Sequence, residues 1–138
     1  MADWSWLLPP AFTIWMVTRF ADVILIREDG SVSLLDVGAG TLEQLAANKE
    51  DFCRKVEEGD NADNWFLMSL VERCVSAGMT LSPGQCYGFK VAPIFEGPYT
   101  VDNTSVADLS VNLSFLSQIH QQIKDLPDGT KIKLVVQP

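Results

Sequence analysis

Three polar residues carry side chains suited to acid–base or metal chemistry: Asp22, Asp36 and His120. The two aspartates flank a predicted hairpin, and paired carboxylates suit a metal ion or proton transfer. His120 is the only histidine and could act as a general acid or base beside a suitable partner. The alternatives are aspartates that cap backbone N–H groups in turns and a helix-border histidine hydrogen-bonded to backbone. The sequence therefore leaves open an enzyme or small-ligand site built on these three residues.

Gly38 and Gly40 follow a predicted strand and precede a predicted helix, the position of a phosphate-binding loop. The third glycine of that motif would stand at position 43, which is Glu43, and no P-loop lysine follows. The pair therefore favours a sharp strand-to-helix turn.

The remaining chemistry-bearing residues point to no reaction. Cys53, Cys74 and Cys86 are widely spaced, and no second Cys or His cluster completes a zinc site, which favours reduced structural thiols. We therefore expect no catalytic residue, no metal ion and no cofactor. Trp4 and Trp6 either close the base of the core or serve as exposed binding anchors.

The charge balance narrows the choice of partner. A net charge of -8 disfavours nucleic acid and anionic membranes, because both are bound through Lys and Arg, and it permits a basic protein partner. Several carboxylates lie close together and would form a partner-binding face: Glu50, Asp51, Glu57, Glu58 and Asp60. The alternative is that they only solvate a helix. No apolar run is long enough to span a membrane, and the N-terminus lacks the basic residues of a signal peptide, so we expect a cytoplasmic protein.

The elements that would position these residues follow from hydrophobic periodicity. Alternating apolar residues predict strands at 12–19, 23–27 and 32–37, and Asp29-Gly30 predicts a type I′ hairpin turn. Thr41 and Gln44 form a capping box that predicts a helix from residue 42 to 57, with a second start signal at Asn48. The remaining expectations are a helix at 62–77, a turn at 82–85, a strand at 86–91, an irregular exposed loop at 93–103, a helix at 109–126, a turn at 127–129 and a strand at 130–136.

The helix at 62–77 carries Trp65, Phe66, Leu70, Val71 and Cys74. These cannot share one face, so we expect that helix to be buried over more than half its circumference. Together the elements predict one α+β domain over residues 1–138, a mainly antiparallel sheet with helices packed on one face.

Four segments, in family order, carry a resemblance: Phe20–Leu25, Gly30–Gly40, Leu81–Phe89 and Val111–His120. They resemble the C-terminal domain of bacterial immunity proteins that neutralise type VI secretion DNase effectors. The most specific piece is the hexapeptide Gly84–Phe89. The resemblance implies a toxin-binding protein that would be inactive as an enzyme, and its motif positions here are Asp22, Asp36, Gly38, Gly40, Gly84, Cys86, Tyr87, Gly88, Phe89 and Gln118. The chain departs from the family at Ala21, at Glu96 and at Asn112, where the family usually has Gly, Gly and His.

Overall fold

The structure is a computed structural model, and it describes residues 1–127. The strands are β1 (Phe12–Val17), β2 (Val23–Arg27), β3 (Val32–Asp36), β4 (Thr41–Ala46), β5 (Gln85–Phe89) and β6 (Thr104–Asp108). The helices are α1 (Lys49–Lys55), α2 (Asn61–Phe66), α3 (Met68–Ser76) and α4 (Leu109–Ile123), with short 3₁₀ turns at Ala2–Trp4, Pro93–Phe95 and Val101–Asn103. The predicted α+β class is confirmed. The predicted turn at 127–129 and strand at 130–136 extend outside the described residues.

The first four strands form one antiparallel sheet in chain order, β1-β2-β3-β4. This confirms the antiparallel strands predicted over residues 12–37. The turn between β2 and β3 lies at Asp29-Gly30, as expected, but only Gly30 has a positive φ (85°). A type I′ turn needs positive φ at two residues, so this hairpin instead has a three-residue loop closed by a left-handed glycine. The Asp29 carboxylate accepts hydrogen bonds from the Ser31 backbone N–H and hydroxyl.

The helix predicted to start at residue 42 is wrong in its first half. Thr41–Ala46 is the fourth strand, and Leu42 pairs with Leu35 of β3. Pairing with β3 outweighs the local capping signal, because helix and strand preferences are weak beside tertiary contacts. The second start signal is confirmed, since the Asn48 side chain accepts a hydrogen bond from the Asp51 N–H (2.8 Å) at the start of α1.

Apolar clusters cover both faces of this sheet, which corrects the expectation of helices on one face. Val23 and Leu25 pack with Trp4 and Leu116, beneath α4 and the N-terminal turn. Ile24, between them on β2, points the other way and packs in the cluster of Phe52 from α1. Successive residues of a strand face opposite sides, so the continuous apolar run in β2 is what a sheet buried on both faces requires.

The helix predicted at 62–77 is two helices. The chain breaks at Leu67, whose φ of 51° and ψ of 43° are left-handed. Trp65 and Phe66 therefore pack beside α1, while Leu70 and Cys74 pack in a separate cluster with Phe20 and Tyr87. The expectation of a single helix buried over more than half its circumference is wrong, because the break sends the two apolar sets to different places.

Strands β5 and β6 form a second antiparallel sheet. The strand at Thr104–Asp108 was not predicted from the sequence. Asp108 caps α4 by accepting a hydrogen bond from the Val111 N–H (2.9 Å).

Trp4 is fully buried, and its indole N–H donates to the Leu113 carbonyl of α4 (3.0 Å), which confirms its role at the base of the core. No helix within residues 1–127 combines the length and apolar character needed to cross a bilayer.

Candidate functional site

A cavity of about 600 Å³ opens beside the sheet. Its walls come from the residues just before β2 and at the end of β3, from α2 and the break that follows it, from β5, from the segment 90–99, and from α4. Residues as far apart as Phe20 and Ile119 line it, so it exists only when both sheets and α4 are assembled.

Two carboxylates lie at one end of the cavity. Asp22 precedes β2 and Asp36 ends β3, and the pairing of Val23 with Leu35 places them side by side. Asp22 is 7% exposed, and its Oδ1 accepts a hydrogen bond from the Val37 N–H (2.9 Å). Burial, and then the nearby charge of Asp36, raise the pKa of Asp22 well above its usual range. Asp36 Oδ1 accepts a hydrogen bond from the Ala39 N–H (3.0 Å).

Aromatic rings form a continuous wall of the cavity. Phe20 lies 5.4 Å from Tyr87 and stacks on Phe89 at 5.1 Å, and Phe89 meets Tyr99 edge-on at 5.2 Å between ring centroids. Burial raises the pKa of Tyr99, and the charges of Asp36 and Asp22 add to that effect. The hydroxyl of Tyr99 therefore lies in the field of the two carboxylates.

The segment between β5 and β6 is held as a fixed wall by Asn103. This buried side chain accepts a hydrogen bond from the Val91 N–H (2.9 Å) and donates to the carbonyls of Val91 (3.0 Å) and Pro98 (2.9 Å). Gly97 packs so closely that an added Cβ would lie 1.8 Å from the Val91 carbonyl oxygen. The loop predicted at 93–103 is irregular and mostly exposed, as expected, and it is anchored where Gly97 and Asn103 are buried.

His120 does not line the cavity. Its Nε2 donates to the carbonyl of Val37 (2.9 Å), the residue whose N–H donates to Asp22. Burial lowers the pKa of His120, which favours the neutral ring. The ring lies against Gly40, where an added Cβ would be 2.4 Å from Nδ1. The structure thus gathers the three sequence candidates around one turn, but it confirms the backbone-bonded histidine and gives it no contact with the cavity.

The Gly38–Gly40 turn joins two strands, not a strand and a helix. Gly40 has a φ of 71°, and its N–H donates to the Asp36 carbonyl (2.8 Å). Its role is to turn the chain and to admit the His120 ring. The prediction of a strand-to-helix turn is wrong because β4 follows.

The cysteines are free within the described chain, Cys74 and Cys86 buried and Cys53 exposed. Burial raises the pKa of Cys86 to about 11, so its thiol stays protonated near neutral pH. Within residues 1–127 no three His, Cys, Asp or Glu side chains are placed to hold a metal ion.

Most of the motif residues surround the cavity. Six line it: Asp22, Asp36, Gly38, Tyr87, Gly88 and Phe89. The other four lie elsewhere: Gly40 is under His120, Gly84 turns the chain before β5 with a φ of 81°, Cys86 is in the core, and Gln118 is part-buried on α4. Sequence reasoning missed the cavity itself, although the hexapeptide Gly84–Phe89 was the signal that pointed to its wall.

The five acidic residues proposed as a binding face are not equivalent. Glu50, Glu57, Glu58 and Asp60 are exposed on α1 and on the connection to α2. The Asp51 carboxylate is engaged within the chain: it accepts a hydrogen bond from the Ala47 N–H (2.9 Å) and pairs with Arg54 and Lys55. These contacts lower its pKa to about 2, the Ala47 hydrogen bond contributing most. The four exposed carboxylates, Glu50, Glu57, Glu58 and Asp60, are called the acidic surface below.

A family model described as the C-terminal domain of the type VI secretion system immunity protein Tdi1 matches residues 46–120, more than half of the chain. The chain belongs to this family. The match to the Tdi1 C-terminal family runs from the end of β4 into α4, so it includes the acidic surface, β5 and the loop closed by Asn103. A comparison with curated proteins found no match.

Two positions at which the resemblance implies glycine have unusual backbone in this chain. Ala21 and Glu96 have positive φ values of 66° and 65°. Side chains other than glycine rarely adopt this region. Both residues adjoin the cavity wall, beside Asp22 and Phe95.

Proposed function

We propose that this domain is a cytoplasmic immunity protein that binds an incoming type VI secretion effector directly and neutralises it. The observation that carries the proposal is membership of the Tdi1 C-terminal family over residues 46–120. A DNase effector is the expected class, because the sequence resembles immunity proteins against such toxins.

The acidic surface supports a mechanism for partner selection. Its four carboxylates are exposed, and none is held in an ion pair with another part of the described chain. The chain as a whole carries a net charge of -8. A toxin domain that binds DNA presents Lys and Arg to phosphates, so its surface is complementary to this one. Complementary charge accelerates association and fixes the orientation of the partners.

An enzymatic function is the less favoured alternative. It would use Asp22, Asp36 and His120, but the imidazole Nε2 is committed to the Val37 carbonyl and the ring does not line the cavity. We therefore propose binding without turnover.

The test is binding to the effector encoded beside this domain, measured as association rate across a salt series. Glu57→Lys combined with Glu58→Lys should slow association at least tenfold at low salt, and the difference should shrink as salt screens the charges. The matched control is Glu28→Lys with Glu72→Lys, which changes net charge equally at exposed positions outside the acidic surface.

Equal slowing by both double variants would reduce the mechanism to net charge alone. Tight binding with an association rate that changes neither with salt nor in either double variant would show that the acidic surface plays no part in the mechanism. Failure of the domain to bind the effector would contradict the proposed function itself.

A further inference from the structure

We propose that the cavity beside Asp22 is a binding site for a small organic cation, an ammonium or guanidinium group attached to an apolar or aromatic body. The inference stands apart from effector binding, because the acidic surface lies on α1 and the α1–α2 connection and contributes none of its four carboxylates to the cavity.

Asp22 is the deepest carboxylate of the cavity. Its side chain is more than nine-tenths buried, yet the described part of the chain gives its carboxylate one hydrogen bond, from Val37 to Oδ1. No fully buried side-chain oxygen within residues 1–127 lacks a partner, so Oδ2 stays accessible from the cavity that Asp22 lines. An N–H group of a cation would supply both the donor and the opposite charge.

The charges of the lining also favour a cation. Asp22, Asp36 and Asp63 contribute carboxylates, against a single ammonium from Lys90. Lys90 and Asp63 are both exposed, and the Asp63 carboxylate accepts a hydrogen bond from the Ser69 N–H, whereas Asp22 is buried. Acidic groups therefore outnumber basic ones in the lining, which favours cations over phosphate and carboxylate ligands.

Aromatic side chains line the same cavity as the carboxylates. Phe20 stacks on Phe89, Phe89 meets Tyr99 edge-on, and all three line the cavity. The faces of aromatic rings are negative and attract a cation within about 6 Å of the ring centroid. Carboxylates and aromatic rings in one cavity are complementary to an alkylammonium or guanidinium group.

The size and the mouth of the cavity define the rest of the ligand. About 600 Å³ is within the range of small-molecule sites and exceeds what one ammonium group fills. At the mouth, Val91, Phe95, Tyr99 and Phe115 are 49%, 38%, 46% and 41% exposed. An apolar or aromatic body attached to the cation would cover these side chains, which otherwise face water.

The test uses benzamidinium as the probe, with neutral benzamide and anionic benzoate as isosteres, followed by NMR titration of the full chain. Benzamidinium should bind at least tenfold more tightly than benzamide, benzoate should not bind, and the shifted resonances should include Gly88, Phe89 and Tyr99. Asp22→Asn should weaken benzamidinium binding about tenfold or more. Asp60→Asn removes the same charge from the acidic surface and should leave the affinity unchanged.

Several results would overturn the proposal. Equal affinities for benzamidinium and benzamide would show that charge plays no part. Loss of binding on Asp60→Asn with retention on Asp22→Asn would place the probe on the acidic surface. If Asp22→Asn does not fold, Asp36→Asn takes its place, and unchanged benzamidinium affinity in that folded variant would contradict the site.

A basic side chain of a protein partner has the same chemistry as a free cation. Retention of benzamidinium in the complex with the effector would support a free small-molecule ligand. Its displacement by the effector would overturn the small-molecule assignment in favour of a partner's Lys or Arg. Failure of effector binding leaves the probe titration intact, so the two proposals fail separately.

Discussion

The cavity and the acidic segment 50–60 are both rich in carboxylates, but the pKa shifts of their buried and hydrogen-bonded aspartates have opposite signs. In the cavity, burial raises the pKa of Asp22. In the acidic segment, backbone and side-chain donors lower the pKa of Asp51 to about 2. The difference shows that the number of acidic residues does not define a site. A carboxylate that is buried with few hydrogen-bond donors, such as Asp22, marks a candidate ligand cavity. Carboxylates that are exposed to water or well supplied with donors belong to a surface that can attract a basic partner.

The largest contrast in stability should come from two glycines with positive φ, one in the turn that follows Asp36 and one in the acidic segment. Gly40→Ala introduces left-handed strain and a clash with the His120 ring, where the added Cβ would lie 2.4 Å from Nδ1. We expect the free energy of unfolding to fall by about 3 kcal/mol. Gly59→Ala, in the acidic segment, meets nothing within 4 Å and should cost about 1 kcal/mol from backbone strain alone. Urea unfolding measures both.

A double variant separates the two contributions at Gly40. His120→Ala removes the ring that the added Cβ would meet. Gly40→Ala should therefore lower the free energy of unfolding less in a His120→Ala protein than in the wild-type protein. Additive costs would show that the ring moves aside freely.

Two asparagines provide the next contrast. Asn103→Ala removes three hydrogen bonds that hold the cavity wall, and we expect a loss of about 2–3 kcal/mol in the free energy of unfolding. Asn61→Ala, beside the acidic surface, removes one hydrogen bond to the Lys55 carbonyl and should cost about 0.5–1 kcal/mol. Calorimetry of both variants provides the measurement, and equal losses would mean that the loop 90–99 is not a rigid wall.

The smallest contrast concerns the pH dependence of stability. The folded pKa of Asp22 is raised above its unfolded value, so its contribution is fully present below about pH 4 and is lost as pH rises through the folded pKa. Asp22→Asn retains an acceptor for the Val37 N–H and removes this loss. We therefore expect the variant to be more stable than wild type at pH 7 and to lack that part of the pH slope, measured by denaturant unfolding from pH 4 to 8.

Asp51 provides the opposite case for the same measurement. Its folded pKa of about 2 lies below the unfolded value, so its contribution is present above about pH 4 and is lost as pH falls toward 2. Asp51→Asn should flatten only the acid side of the stability profile. Identical profiles for the two variants would contradict the distinction between buried and solvated carboxylates.

Sequence patterns predict those features of the fold that depend on residues close together in the chain. The alternation in β1 to β3, the turn at Gly30 and the cap at Asn48 are set by neighbouring residues, and all three predictions place these features correctly. Strand β4 could not be predicted, because its sequence carries a helix start signal and only the pairing with β3 makes it a strand. The break at Leu67 also lacks a local signal, since leucine is a good helix former.

The candidate site was predictable only in fragments. Asp22 and Asp36 were recognised as neighbours, because a hairpin brings its two ends together. The aromatic wall joins Phe20 to Phe89 of β5 and to Tyr99, and the hydrogen bonds that hold the 90–99 segment come from Asn103, all far along the chain from Phe20. No periodicity in the sequence relates such positions, so the cavity becomes visible only when the contacts are known.

The two indole hydrogen bonds at the N-terminus have a consequence for the order of folding. Trp4 donates to the Leu113 carbonyl and Trp6 to the Ser117 hydroxyl, across 109 and 111 residues of sequence. Each pairing in the first sheet closes only a short loop, whereas these contacts close nearly the whole described chain. Long closures cost more entropy and form later, so the meander of β1 to β4 is the natural nucleus. We therefore expect the two indole hydrogen bonds to form last, because their acceptors on α4 are in place only after that helix has packed on the sheet.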